Sequence, residues 1–445
     1  MGGRGSQKKR GIFLKKFIER QFKTMENGTT LKKEVIAGLV SFLTLVYIIS
    51  VNSTILHNAG VPFQGAMIAT ILSAFFGCIV LGVWSNSPLV IVPGMGINAL
   101  FTYTMVSQMG MTWQQALGVV FVSGVILTIL SFTKLIQRLT TSIPTSLKSA
   151  ITVGIGFFLT FIGLQEGGLV VKNDHTFVSI ANFSNPEVLA TVLTLAIAIF
   201  LFVKNVPANF LLTVIAGTFI SFSLHGGLHK VQGSTTISVS AAKSVLGQLS
   251  FSTMMSFSFW IAVFSLTMVI LFESIGIIHG QLSMINQEKK QQKVIQSSTF
   301  SVMLSSLLGT SPTVIAVEGS AGISSGGRTG LTSIVTGLLF LSCILFMPII
   351  AYIPSTAIAP ILIIIGSLMV KNITDIHLDD PTEAIPAFLI LAFIPLTYSI
   401  VDGIAFGFIA YPLVKLAAGK KSEITPYMVA ISALFFFRFA LNFIS

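Results

Sequence analysis

The chain has 445 residues, of which 53% are hydrophobic and only 9% charged, and its mean hydropathy of +0.89 excludes a soluble fold of this length. The net charge of +11 is concentrated at one end: ten of the 26 Lys and Arg residues lie in the first 33 positions, ahead of any long apolar run. That stretch has no signal-peptide cleavage pattern, so it reads as a cytoplasmic basic tail facing an anionic lipid bilayer; with no soluble domain beside the charge, nucleic acid is not the expected partner.

Apolar runs of roughly spanning length recur from about residue 34 to about residue 418, and about fourteen can be counted between short polar turns. The first covers about Glu34 to Ile55, the second about Ala66 to Trp84, and the third follows a Pro/Gly interruption at Pro93. Later runs fall near 115–133, 149–166, 187–203 and 209–225, and a polar stretch with Gly226, Gly227, Gly233 and a Ser/Thr cluster then divides the chain. The expected organisation is a cytoplasmic tail (1–33), a first seven-span repeat (34–225), an extracytoplasmic linker (226–255), a second seven-span repeat (256–418) and a C-terminal tail (419–445). The last apolar stretch, about Tyr427 to Ile444, carries Arg438 and Asn442 and reads as an interfacial or packed helix, with a fifteenth span as the alternative.

Charge supports the count. Lys134, Arg138, Lys148, Lys204, Lys289, Lys290, Lys293, Arg328, Lys371, Lys415, Lys420 and Lys421 all fall after even-numbered spans, on the side of the basic amino terminus. Only Lys172, Lys230 and Lys243 fall on the other side, as the positive-inside rule requires for a cell-membrane protein with a cytoplasmic N-terminus. The two halves also echo each other: Phe42-Leu-Thr-Leu-Val46 in span 1 resembles Ser265-Leu-Thr-Met-Val269 in span 8, and the two interrupted spans, 3 and 10, hold corresponding places in the two sets of seven. Seven is odd, so the second set enters the membrane from the opposite side. The predicted fold is all-α and polytopic, with inverted repeats and paired broken helices, an architecture in which transporters bind substrate at the midplane.

Three constellations carry chemistry. In Ile91-Val-Pro-Gly-Met-Gly-Ile-Asn-Ala99, proline removes a donor, Gly94 and Gly96 weaken the helix, and Asn98 offers donor and acceptor; a simple kink with Asn98 bonded between helices is the alternative. The stretch Gly309 to Gly330 is too broken to span alone, and Glu318-Gly319 lies inside it; an ion pair or interhelical hydrogen bond is the competing role for Glu318. In Leu271-Phe-Glu-Ser-Ile-Gly-Ile-Ile-His279, Glu273 and Gly276 share a helical face, Phe272 reads as packing and His279 as interfacial. Glu273 and Glu318 are the only acids deep inside apolar segments, where a carboxylate costs roughly 2.5–3.5 kcal/mol on insertion scales and needs a polar partner, a proton or a wet cavity. Glu34, Glu166, Glu383 and Asp402 lie near helix ends and read as hydrated or capping groups, and Arg328 as a surface anchor.

Carboxylates and an amide suit a neutral heterocycle with adjacent N–H groups. An anion would require a lysine or arginine at the midplane, and a glutamate there can also exchange a proton with its surroundings. Cys78 and Cys343 sit in apolar segments without metal-ligand spacing, so neither a metal nor a cofactor is expected. No His-Glu-x-x-His, Gly-x-Gly-Asp or Ser/His pairing points to a membrane-embedded hydrolase, so no enzymatic activity is expected. An anion carrier of the same architecture and a channel remain the alternatives.

At these residues the sequence resembles the AzgA-like purine permeases, a branch of the nucleobase–cation symporters related to the nucleobase–ascorbate transporters. The resemblance runs through Glu26-Asn-Gly-Thr-Thr30, Pro93-Gly-Met-Gly-Ile-Asn98, Gly326-Gly-Arg-Thr-Gly-Leu331, Thr382-Glu-Ala-Ile-Pro-Ala387 and Asp402-Gly-Ile-Ala-Phe-Gly407, in that order. It implies a core domain (spans 1–4 and 8–11) moving against a gate domain (spans 5–7 and 12–14), often in a homodimer, and import of a purine with a proton. Hypoxanthine and guanine are favoured over adenine and xanthine on the same ground. Asn98, Glu318 and Glu273 match the family's site positions. The span-8 stretch departs from the usual Asp-Leu-Phe-Asp-Thr, reading Ile270-Leu-Phe-Glu-Ser274, and span 10 carries Pro312, Val314 and Glu318-Gly-Ser-Ala-Gly322 in place of a Thr/Ser-rich approach and Glu-Ser-Ala-Ala-Gly.

Overall fold

A computed structural model describes residues 19–133, 136, 142–225, 239–350 and 352–444. The first part of the basic tail, Lys134, Arg138, Lys230 and the linker glycines Gly226, Gly227 and Gly233 lie outside the described residues, as do the side chains of Arg438 and Asn442. Among the described residues nine helices are long and apolar enough to cross a membrane. The shorter helices Asn209–Leu224 and Pro381–Thr397, the polar span 9 (Gln291–Leu307) and the two broken spans complete the fourteen.

Span 1 runs from Leu31 to Asn58, with a tightened turn at Val46 and Tyr47 between Leu31–Leu45 and Ile48–Asn58. Thr44 Oγ1 bonds back to Val40 O (3.2 Å) and Ser41 O (2.9 Å), while Ile49 N and Ser50 N reach only three residues back. Hydroxyls that compete for helix carbonyls in this way bend helices. Span 9 is polar on the side that protein covers, where Ser297, Ser298, Thr299, Ser301, Ser305 and Ser306 are buried. It packs against spans 2 and 4, and Ser297, Ser305 and Ser306 return their hydroxyls to its own backbone.

The spans sort into two groups. In one, span 11 (Gly330–Ser342) packs on spans 1 and 2, and spans 8 (Phe257–Ser283) and 9 pack on span 4 (Trp113–Ser131). In the other, span 5 (Thr145–Glu166) packs on spans 12 (Ser355–Val370) and 13 (Pro381–Thr397), span 13 on span 14 (Ile400–Ala417), and span 12 on spans 6 (Pro186–Val203) and 7. These are the core and gate anticipated above. Within each, glycines let backbones touch: a Cβ on Gly330 would sit 2.0 Å from Gly82 O, and one on Gly366 2.4 Å from Gly156 O.

The broken spans meet each other. Ile91–Pro93 and Thr313–Ile315 form a two-stranded antiparallel ladder in the register Ile91↔Ile315, Val92↔Val314, Pro93↔Thr313, so a local two-fold passes between Val92 and Val314. The ends are satisfied in the same symmetric way, with Gly94 N donating to Pro312 O (3.1 Å) and Ala316 N to Val90 O (3.0 Å). Span 3 then continues as a helix from Met95, in π-helical turns from Leu100 to Gln108, and span 10 as Val317–Gly319 and Ser320–Ser324. Unpaired backbone is untenable in an apolar medium, and the mutual ladder removes that cost.

Ionic fasteners close the loops. Glu34 is fully buried and accepts from Arg328 N (2.9 Å), Thr332 N (3.1 Å) and Thr332 Oγ1 (2.6 Å), so it caps span 11, not its own helix. Arg328 turns its guanidinium to Ile323 O and Gly327 O, both at 2.7 Å, and thus braces the turn instead of reaching the surface. Lys415, expected as a cytoplasmic charge, is buried at 1% exposure between Glu383 (2.7 Å) and Glu423 (2.5 Å). Asp380 caps span 13, and the Lys420 ammonium and Thr382 hydroxyl hold its carboxyl well below the usual carboxylate range. Helix Pro426–Ile444 lies along span 14, with Ser432 Oγ donating to Phe408 O.

The pairing across spans 13 and 14 gives a stability test. Lys415→Met leaves the half-buried Glu383 without its cation and with only the Tyr411 hydroxyl as partner, an expected loss of about 3 kcal/mol, and Lys415→Met with Glu383→Met should recover most of it. Thermal unfolding of the detergent-purified protein measures both; equal stability of the single variant and the wild type would contradict the assignment.

Candidate functional site

Between core and gate lies a cavity of about 900 Å³. The core contributes the tight turn of span 1, the span-3 and span-10 strands with the helix starts that follow, and one face of span 8; the gate contributes spans 5, 7 and 12. Its far end is lined by Lys148, Asn205, Lys371 and Asn372, which sit at the ends of spans 5, 6 and 12.

Four of the six anticipated site residues line this space: Glu273, Glu318, Gly94 and Gly96. Glu318 is half-buried in the 3-10 turn opening the second part of span 10, and its Oε1 accepts from the Tyr47 hydroxyl at 2.8 Å. Span 8 fixes this unwound stretch from behind, because Gln281 Nε2 donates to Ala316 O (2.7 Å) and Val317 O (3.2 Å). Glu273 projects from span 8 towards span 3; its Oε2 is buried without a hydrogen-bond partner and lies 3.8 Å from where a Cβ on Gly96 would be. Gly276, one turn on, has open space where a side chain would go, and Phe272 beside it lines the cavity. His279 is exposed and outside the lining.

Asn98 and Gly319 stand off the cavity wall. Asn98 is fully buried, and neither its amide nitrogen nor its oxygen has a partner. Gly319 faces Val90, whose Cβ would be 3.4 Å from a Cβ built on it. Sequence reasoning missed Tyr47. The available signal was a lone phenol inside the apolar first span, one residue past the Phe42–Val46 echo, since a buried tyrosine hydroxyl requires a partner. The gate-side lining, with Lys148, Asn209 and Phe210, was also missed, because nothing in sequence spacing brings spans 5 and 7 to span 10. Among the described residues no cluster of three His, Cys, Asp or Glu side chains could hold a metal ion.

Comparison with known proteins fits this arrangement. A model of the Permease family (Xan_ur_permease) matches residues 32–406. The chain belongs to this permease family. Nucleobase transporter PlAzg2 of Paenibacillus larvae is 48% identical over 86% of this chain and 77% of its own length. Guanine/hypoxanthine permease PbuO of Bacillus subtilis is 36% identical over 93% and 98%, and adenine permease AdeP of Escherichia coli 34% over 94% and 95%. The AzgA-like resemblance therefore holds along nearly the whole chain. Among solved structures, the transmembrane domain of the cyanobacterial bicarbonate transporter BicA superposes with a TM-score of 0.64 at 17% identity, covering 84% of this chain and 97% of that one. SLC26A9 superposes at 0.63 and 12% identity, covering 92% and 70%. These two likenesses establish the shared fold.

The orphaned amide of Asn98 makes its own prediction. Because Asn98→Leu removes no hydrogen bond from the ligand-free protein, it should leave thermal stability unchanged within about 1 kcal/mol or raise it. A fall of many degrees in detergent would mean that Asn98 is bonded after all.

Proposed function

We propose that this permease imports purine nucleobases by proton symport with alternating access. The observation that carries the proposal is the pair Glu318 and Glu273 on one cavity wall, beside the start of the span-3 helix at Gly94 to Gly96. A neutral purine presents adjacent N–H donors and ring acceptors in one plane. Glu318 would accept the ring N–H groups, and backbone N–H groups freed by the broken helices would meet its carbonyl or ring nitrogen. Small residues at Gly94 and Gly96 let a flat ring approach the backbone, and Phe272 supplies an apolar face. Glu273, with one oxygen unpaired, would assist binding and take the proton, while Asn98 behind span 3 would back the same site. Guanine and hypoxanthine, named for the PbuO relative, are the first substrates to test, and adenine, named for AdeP, the competitor.

Alternating access draws support from the distribution of core–gate contacts. At the end holding Lys148 and Lys371, the side assigned to the cytoplasm by charge, the lining residues Asn205 and Lys371 are exposed, so the cavity reaches the surface there. At the opposite end the two groups are latched: Asn58 Nδ2 donates to Glu166 Oε1 (2.8 Å), and Gln108 Nε2 to Asp402 Oδ2 (3.1 Å). An anion carrier is the second reading, favoured by Lys148 and Lys371 in the lining; the carboxylates beside the broken helices oppose it.

Uptake of labelled guanine, hypoxanthine and adenine in cells lacking their own purine carriers tests the proposal. Saturable uptake that quickens as external pH falls is expected, and no saturable purine uptake would overturn it. Glu318→Gln should reduce uptake at least 100-fold, the loss expected for a hydrogen-bonded charged anchor worth about 3 kcal/mol, with membrane insertion intact. Wild-type affinity and rate in that variant would reduce Glu318 to scaffold.

A further inference from the structure

Tyr47 joins two things that must move apart. It lies in the tightened turn of span 1, is 3% exposed and donates its hydroxyl to Glu318 Oε1 at 2.8 Å, across 271 residues of sequence. Its ring rests on Phe210 of span 7, with centroids 5.0 Å apart and planes at 57°, and Phe210 in turn stacks on Phe202 of span 6. One side chain therefore touches the core's carboxylate with its polar end and the gate with its apolar end.

The internal repeat shows that this contact is not a by-product of symmetry. Phe42 aligns with Ser265, an offset of 223 residues, and the strand ladder gives an offset of 222 from Ile91 to Thr313. By these offsets Tyr47 corresponds to Ile270, and Glu318 to Gly96. The pair bridges the two halves, and its symmetry-related counterpart, Ile270 of the second half and Gly96 of the first, has an aliphatic side chain and a glycine instead, so the phenol–carboxylate bond belongs to the site and not to the scaffold that both halves share.

Building on the purine-carrier reading, we infer that Tyr47 is a positioning residue: it orients Glu318 for the nucleobase and ties that orientation to the gate through Phe210. With Oε1 held by the phenol, Glu318 presents its remaining lone pairs to the base in one fixed plane. A phenol–carboxylate bond costs the base nothing to keep, whereas a free carboxylate must be ordered each time a base binds. When the core slides against the gate, the ring leaves Phe210, and the aromatic contact contributes to holding the carrier in the state with the cavity open at the Lys148 end.

The test separates hydroxyl from ring in purified protein reconstituted into vesicles. Tyr47→Phe keeps the ring and should raise the half-saturating guanine concentration about tenfold or more, with the maximal rate within about twofold of wild type. Phe210→Leu keeps the hydroxyl bond and should lower the maximal rate more than it changes half-saturation. Thermal unfolding of ligand-free Tyr47→Phe, expected to match wild type within a few degrees, separates positioning from folding. Wild-type half-saturation in Tyr47→Phe overturns the role while leaving the purine reading intact; no guanine uptake by the wild type overturns the purine reading and this role together.

Discussion

Two strands of three residues each make the rest of the structure possible. A helix can be interrupted within an apolar medium only if the backbone groups it releases find partners, and here the interruptions in spans 3 and 10 serve as each other's partners. The ladder from Ile91–Pro93 to Thr313–Ile315 does three things at once. It fixes the local two-fold that relates the repeats, it starts a helical segment on either side facing the same cavity, and it positions Glu318 on the core wall that Glu273 enters from span 8. Prolines at Pro93 and Pro312 fit because neither position needs an N–H for the ladder; Pro312 supplies a carbonyl to Gly94 N instead.

The repeats are symmetric in backbone and asymmetric in chemistry. Both acids come from the second repeat, and the phenol that engages one of them comes from the first. Duplication supplies a scaffold with an axis; divergence of single residues, such as Gly96 against Glu318, then assigns binding to one half. The family motifs tell a related story. Much of Glu26–Thr30, Gly326–Leu331, Thr382–Ala387 and Asp402–Gly407 serves to fasten spans, through Asn27 to Gln287, Arg328 on the span-10 turn, Glu383 with Lys415, and Gly403 against Ile394. Motifs that identify a family can thus mark its joints as much as its ligand site.

Most of the fold was legible because the bilayer leaves few options. Apolar length and the positive-inside bias carried the span count, and Pro93-Gly94 and the stretch after Gly309 announced the broken helices. Glu273 and Glu318 stood out as acids in apolar surroundings, and both face the cavity. What hydropathy could not show was which polar groups are sealed by protein. Lys415 looked like a surface charge and is a buried ion pair, Glu34 caps a helix nearly 300 residues away, and Asn98 sits behind the wall it was expected to line. Each depends on a partner brought close only by folding, and no local periodicity encodes it.

The account rests on one claim: a neutral purine and a proton meet the same carboxylates. The most direct measurement is the internal pH of sealed vesicles holding the purified protein, with a guanine gradient imposed and no initial pH gradient. Inward guanine movement should acidify the lumen in fixed proportion to the purine taken up, and vesicles with Glu318→Gln should do neither. Guanine uptake with no accompanying change in internal pH would contradict it.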